Sequence, residues 1–470
     1  MRRAHSPSHS PSPPLPRPAP ARAPGPATLA VTGVATALAL MNYTAPMLTL
    51  PAMAEAFGTP SSAQAWLLNG TPLGLAALLL VAGALADAHG RRRVFLLGTL
   101  ALGVTAALGA FADSTALFTA ARIAQGAASA AVLAGSLGLL ADAYPSGRDR
   151  IRATGVWGAS VSGGIALGPL LAGALSLADW RLAYAALGAA TLLTAAAGTR
   201  VLARPAHRPP GGDRRPDLAG ATALALALAA LLTALTLGRD GWLRPAIGVL
   251  LAAAAALTAL FLRVERRAAD PMIDLGLLRR PEFRASTVGA LFTGLAVIGL
   301  FSVVPALIQH GAGMAPLAAA WLFVLWSGTA FVVALQARRL AGRLSAPYQL
   351  ALGFALSTAG VLALLGSLDT PDLPWPRLVT GLVVAGAGSG LLNAALPRLA
   401  VDSVPPERAA MGSGASNTAR YIGSAAGVAL MLAVSAAGPD AALVTAAALS
   451  LAGAALTVAG SPRRRAGGGR

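Results

Sequence analysis

Residues 64–93 read QAWLLNGTPLGLAALLLVAGALADAHGRRR. The stretch 64–85 holds no charged residue; Asp87, Gly90 and Arg91-Arg92-Arg93 then follow, and Val94 opens another apolar run. A bilayer core about 30 Å thick is crossed by roughly 20 apolar residues in helical form. The spacing therefore predicts a membrane-spanning helix, a tight charged turn at the bilayer surface, and a second helix running back. Gly90 suits the turn, because it has no Cβ to exclude left-handed backbone.

Working outward, the same reading predicts fourteen spans: 28–50, 64–85, 94–112, 115–141, 153–176, 182–199, 218–237, 245–262, 285–308, 316–337, 347–366, 378–397, 409–437 and 441–460. The runs are continuous instead of alternating, which favours helices over a barrel, since a helix satisfies its own backbone in lipid. Composition agrees. Of 470 residues 56% are hydrophobic and 11% charged, with mean hydropathy +0.66. A soluble domain carries roughly 25% charged residues, so too few polar groups are present to cover a water-facing surface.

All 36 basic residues are Arg, and with 18 acids they give a net charge of +18. Their placement speaks for topology and against nucleic acid as a partner. With both termini in the cytoplasm, inside segments hold 30 Arg and outside loops four (Arg181, Arg239, Arg244, Arg377), leaving two in spans, Arg122 and Arg420. That bias is the positive-inside pattern. No Asp or Glu falls inside a predicted span. Zero Cys excludes disulfides and thiolate chemistry, and five scattered His offer no metal set. Without Lys there is no phosphate-binding GxxxxGK[ST]. No cofactor, metal or enzymatic acid–base pair is expected.

The chain divides into a Pro- and Arg-rich tail expected to be disordered (1–27), six spans (28–200), two further helices between charged linkers (201–284), six more spans (285–460) and a basic tail (461–470). A cleaved leader ending near Ala52-Met53-Ala54 is the competing reading of the N-terminus; its apolar run is longer than the 7–15 residues of a signal core. Asp142-x-x-Pro145-x-x-Arg148 recurs 260 residues later as Asp402-x-x-Pro405-x-x-Arg408, which suggests two related halves.

Gly83, Asp87, Gly90 and Arg91-Arg92-Arg93 resemble the signature loop of the major facilitator superfamily. Arg122-Ile-Ala-Gln125-Gly126 resembles its buried-Arg motif. Gly164, Gly168, Pro169 and Gly173 in the fifth span resemble its antiporter motif. Asn417-Thr-Ala-Arg420-Tyr-Ile-Gly423, and Asp270-Pro271-Met-Ile-Asp274, resemble the fourteen-span drug:proton branch. The resemblance covers about residues 28–460. It implies an all-α fold of two six-helix bundles plus two central helices, exporting drugs, antibiotics or secondary metabolites in exchange for protons by alternating access. A cell-membrane location with lipid as a contact follows.

Departures are informative. Asn42 stands where the branch usually has Asp, and Thr71 where a Tyr is expected. With no carboxylate in a span, Asp142 and Asp87 become the proton-coupling candidates, with Glu55 and His310 behind them. A buried Arg must face a cavity or a partner, so Arg122, Gln125, Asn42, Asn417 and Arg420 are expected along one translocation path. A pair of guanidinium groups there favours an anionic or neutral substrate over a cation. Outward snorkelling of Arg122 and interhelical bonding by the amides are the structural alternatives. At the level of function, an uptake carrier or uniporter, and a non-transporting receptor or scaffold, remain alternatives to export.

Overall fold

A computed structural model describes residues 26–459 apart from 62, 145–146, 203–217, 239–242, 268–274, 341–343, 371–373 and 405–408. Both tails, the longest linker and all of Asp270–Asp274 thus lie outside the described residues. Among those described, every regular element is helical.

The first apolar run forms α1 (Pro26–Thr44) and α2 (Pro46–Ala56), one crossing broken at Ala45. Pro46 causes the break: it has no N–H for the carbonyl of Asn42, and its ring crowds that carbonyl. There follow α3 (Gln64–His89), α4 (Arg91–Ala110), α5 (Thr115–Ala143), α6 (Gly147–Leu175), α7 (Arg181–Val201), α8 (Leu218–Leu237) and α9 (Pro245–Arg267). The ninth crossing is composite: α10 (Pro281–Phe292), a π-helical segment at Thr293–Ile298, and α11 (Gly299–Gly311). α12 (Pro316–Leu340), α13 (Ala346–Ala363), α14 (Trp375–Asp402), α15 (Ala409–Val434) and α16 (Pro439–Ala459) complete the chain.

Among the described residues, thirteen helical stretches are long and apolar enough to cross a bilayer. α8 occupies the remaining predicted position, with a shorter apolar stretch, Ala219–Leu235. Several helices outrun the hydrophobic runs that predicted them. α9 continues to Arg267, five residues past the expected end, because Arg263–Arg267 are mostly good helix formers and its basic last turn suits the helix dipole. The expectation of no acid inside a crossing is therefore corrected: Glu265 lies in α9 and is buried.

Packing builds two groups. α1 lies along α6, α3 and α4 on α5, and α4 on α7; in the second group α13 lies along α14 and α16, α12 on α14, and α15 on the ninth crossing. The groups meet where α3 contacts α15, α6 contacts α12 and α2 contacts α11. α8 and α9 pair with each other, with α8 reaching α3 and α15. α9 otherwise turns apolar side chains outward, Val249 being 68% exposed, as a lipid-facing helix does.

The two groups repeat details beyond the Asp-Pro-Arg signature. A Cβ on Gly164 or Gly168 of α6 would collide with the α1 backbone at Ala37 and Met41. Gly423 and Gly427 of α15, 259 residues later, face the carbonyls of Leu291 and Leu295 in the same way. Pro46 and Pro305 are separated by the same interval, and each sits inside or opens a helix of the paired crossings.

Candidate functional site

Between the two groups lies a part-open cavity. One wall is Tyr43, Thr44 and Met47 from the first crossing with Ser162 and Ile165 of α6; the other comes from the ninth crossing, α12, α14 and α15. Three wall residues stand four positions before a helix-interior proline: Ile165 before Pro169, Phe301 before Pro305, and Asn393 before Pro397. Each proline deprives the earlier carbonyl of its helical donor and bends the helix at the wall.

Among the described residues, Arg420 is the only formally charged one in this wall. Its Nη1 donates to Asn393 Oδ1 at 3.4 Å, and its guanidinium carbon lies 5.8 Å from the centre of the Tyr421 ring. Phe301 and Trp326 stack with centroids 4.2 Å apart and planes 11° from parallel, and Phe323 meets Trp326 edge-on at 5.1 Å. Across the cavity Tyr43 and Ser424 share a hydroxyl hydrogen bond of 2.7 Å, joining the two groups, and Tyr43 meets Tyr421 edge-on at 5.9 Å.

Arg122 does not share this wall. It is fully buried in the first group, so it does not snorkel outward. Its Nη1 donates to the Asn42 carbonyl at 2.7 Å and to Gln125 Oε1 at 2.6 Å, and its Nη2 to the Tyr43 carbonyl at 3.4 Å. The carbonyl it takes is the one that Pro46 leaves without a helical donor. Gln125 passes the link on, donating to the Thr105 carbonyl of α4 at 2.9 Å.

The five residues expected along one path do not all lie together in this structure. Asn42 is buried with neither side-chain amide atom bonded. Asn417 donates to the Ser413 carbonyl of its own helix at 3.0 Å. Only Arg420 of the five lines the cavity. The physical reason is that backbone carbonyls freed by a proline solvate a guanidinium inside a bundle, so burial alone does not require an aqueous path.

At the turn, Gly90 has φ +97°, which side chains rarely tolerate. Arg91 donates to the Gly138 carbonyl at 3.0 Å and pairs with Asp142 at 2.8 Å, both at the end of α5. Arg92 donates to the carbonyls of Thr199 and Leu202 at 2.9 and 3.1 Å, capping α7. Arg93 is exposed. Gly83 sits inside α3, and the Asp87 side chain lies outside what is described. Gly173, the last glycine of the α6 motif, faces Ala320 and the Pro316 carbonyl of α12.

The aromatic pair, Tyr43 and Ser424 escaped sequence reading as a unit. Trp326 and Trp321 look alike in sequence, yet Trp326 is in the wall while Trp321 is 57% exposed. A third tryptophan, Trp157 of α6, donates to Ser136 at 2.9 Å. A usable signal was proline four residues after a wall position.

The model of the Major Facilitator Superfamily matches residues 32–428. The chain belongs to that superfamily. It is a multi-pass membrane protein of a transporter family, and not an enzyme. The multidrug resistance protein Stp of Mycobacterium tuberculosis is 30% identical over 86% of this chain and 74% of its own length. The puromycin resistance protein pur8 of Streptomyces alboniger is 32% identical, covering 87% and 81%. The cephamycin export protein CmcT of Amycolatopsis lactamdurans is 33% identical, covering 87% and 85%. Among solved structures, the human organic anion transporter MFSD10 superposes with a TM-score of 0.64 at 21% identity, covering 92% of this chain and 99% of that one. A peptide transporter in complex with sulfate gives 0.68 at 16% identity, covering 92% and 93%. Both establish the fold alone.

Proposed function

We propose that this chain exports a small molecule across a bacterial cytoplasmic membrane in exchange for protons, by alternating access, with both termini in the cytoplasm. Residues 28–200 and 285–460 act as the two moving bundles, with 201–284 as an added pair of helices. The observation that carries the reading is the cavity between the groups with Arg420 as its one charge. Relatives named for drug resistance and antibiotic export support the direction. A wall with one guanidinium and no carboxylate favours anionic or neutral substrates over cations.

Gly90 and Arg91–Arg93 form the gating loop with Gly83 and Asp87. Protonation of Asp142 releases Arg91 from its ion pair, which makes this turn the point where proton and gate meet, with Asp87 the second carboxylate. Gly164, Gly168, Pro169 and Gly173 set how closely α6 approaches α1 and α12, and so how the bundles rock. Arg122, Gln125, Asn42 and Asn417 brace the helices that carry the path.

Inverted membrane vesicles test this. Imposed acid-inside gradients drive accumulation of anionic or neutral drugs, and drug addition dissipates the gradient; no dissipation and no gain of efflux from expression refute antiport. The absence of a carboxylate in the cavity wall favours uniport as the second reading. Counterflow that survives protonophore identifies it.

A further inference from the structure

Two residues of the cavity wall carry buried nitrogen donors that lack acceptors among the described residues. Trp326 is buried, and its indole Nε1 has no hydrogen-bond partner. The Nε of Arg420 is likewise buried and unpartnered, and its Nη1 holds Asn393 only at 3.4 Å. Buried donors without acceptors are uncommon, and each calls for a reason. The wall's Ser302 and Ser327 turn their protons to carbonyls of their own helices, and neither oxygen accepts from Trp326 Nε1 or Arg420 Nε.

The same indole stacks face to face with Phe301, at 4.2 Å and 11°, so the pair presents one outer ring face. Aromatic faces also attract cations, but the nearby charge is a guanidinium and, among the described residues, no carboxylate lines the cavity to offset it. The wall therefore offers a planar apolar surface, unfilled donors and a net positive charge together.

Resting on the export reading above, we infer that this wall is a subsite for planar aromatic carboxylates. The aryl plane extends the Phe301–Trp326 stack from its outer face, and the carboxylate accepts from Trp326 Nε1 and the Arg420 guanidinium, with Asn393 orienting the latter. Trp326 is a specificity-determining residue, supplying both surface and donor.

Calorimetric titration of the full-length protein in lipid nanodiscs, without any ion gradient, tests this with 2-naphthoate, 2-naphthylmethylammonium, 2-naphthylmethanol and cyclohexanecarboxylate. The naphthoate binds at least about tenfold more tightly than the naphthyl cation and than the non-aromatic acid, one good hydrogen bond being worth that ratio. Trp326→Phe keeps a ring, weakens naphthoate about tenfold and leaves the uncharged alcohol unchanged. Phe301→Leu weakens all three naphthyl probes alike, and Arg420→Gln removes the preference for the acid. Equal affinity for cation and acid, no naphthoate binding, or an unchanged naphthoate affinity in Trp326→Phe overturns the inference. Because binding is read without transport, naphthoate binding as stated beside vesicles that export nothing defeats the export reading and leaves the subsite standing; export without naphthoate binding does the reverse.

Discussion

Arg122 and Pro46 form a coupled pair, and the coupling is measurable. Arg122→Met strips the donor from the Asn42 carbonyl and from Gln125 Oε1, held at 2.7 and 2.6 Å. Each buried acceptor left alone costs about 1–3 kcal/mol, so two give about 2–6 kcal/mol. Relief from burying a guanidinium offsets this by several kcal/mol, and the two are similar in size. The single variant is thus a poor test, whereas its dependence on position 46 is a clean one. Pro46→Ala restores an N–H one helical turn after Asn42. In the Arg122→Met background that N–H fills an empty carbonyl and returns about 1–3 kcal/mol. With Arg122 present the carbonyl is already bonded and the gain is about 1 kcal/mol or less. Changes in helix propensity are common to both backgrounds and cancel in the cycle. Reversible unfolding in mixed SDS micelles, followed by far-UV circular dichroism, gives the four free energies. A coupling of at least about 1 kcal/mol is expected. If Pro46→Ala shifts stability equally in both backgrounds, Arg122 is not solvated by the carbonyl that the proline frees.

Three further outcomes follow from the geometry. Arg91→Ala and Asp142→Ala each change stability by less than about 1 kcal/mol, since the pair is partly exposed, yet both slow vesicle transport, and the exchanged pair Arg91→Asp with Asp142→Arg restores part of the rate. Gly90→Ala forces a Cβ onto φ +97° at a cost of about 1–3 kcal/mol, seen as a lower SDS midpoint while Gly83→Ala, inside a helix, shows no such loss. Tyr43→Phe removes the 2.7 Å link to Ser424 between the groups. Because the chain has no native Cys, single engineered cysteine pairs across the cavity report the result, which is faster cross-linking of the opened state; unchanged rates count against a latch.

The spans were legible because length and charge bias are set by the bilayer, which acts on every residue of a run alike. Burial of Arg122 was legible for the same reason, but its partner was not: sequence states that a guanidinium must be satisfied, not by which group. Pro46, four positions past Asn42, carried that information. Glu265 was missed because apolarity ends before the helix does, and local helix propensity carries α9 onward. Phe301 and Trp326 were unreadable as a stack, since an aromatic ring serves equally on an exposed face, as Trp321 does, or against a neighbour. The Gly423 and Gly427 contacts became visible only beside those of Gly164 and Gly168.

The wide segment at Thr293–Ile298 also fixes a phase. A π-helical turn houses one residue more than its α-helical equivalent, and one residue is about 100° of azimuth in an α-helix. Phe301 and Ser302 thus point where they do because a supernumerary residue lies upstream. Deleting a single position within 293–298 would let the crossing wind evenly from Pro281 onward and swing the phenyl ring of Phe301 off Trp326 by about a quarter turn, an angular misalignment that no side-chain substitution in the wall reproduces.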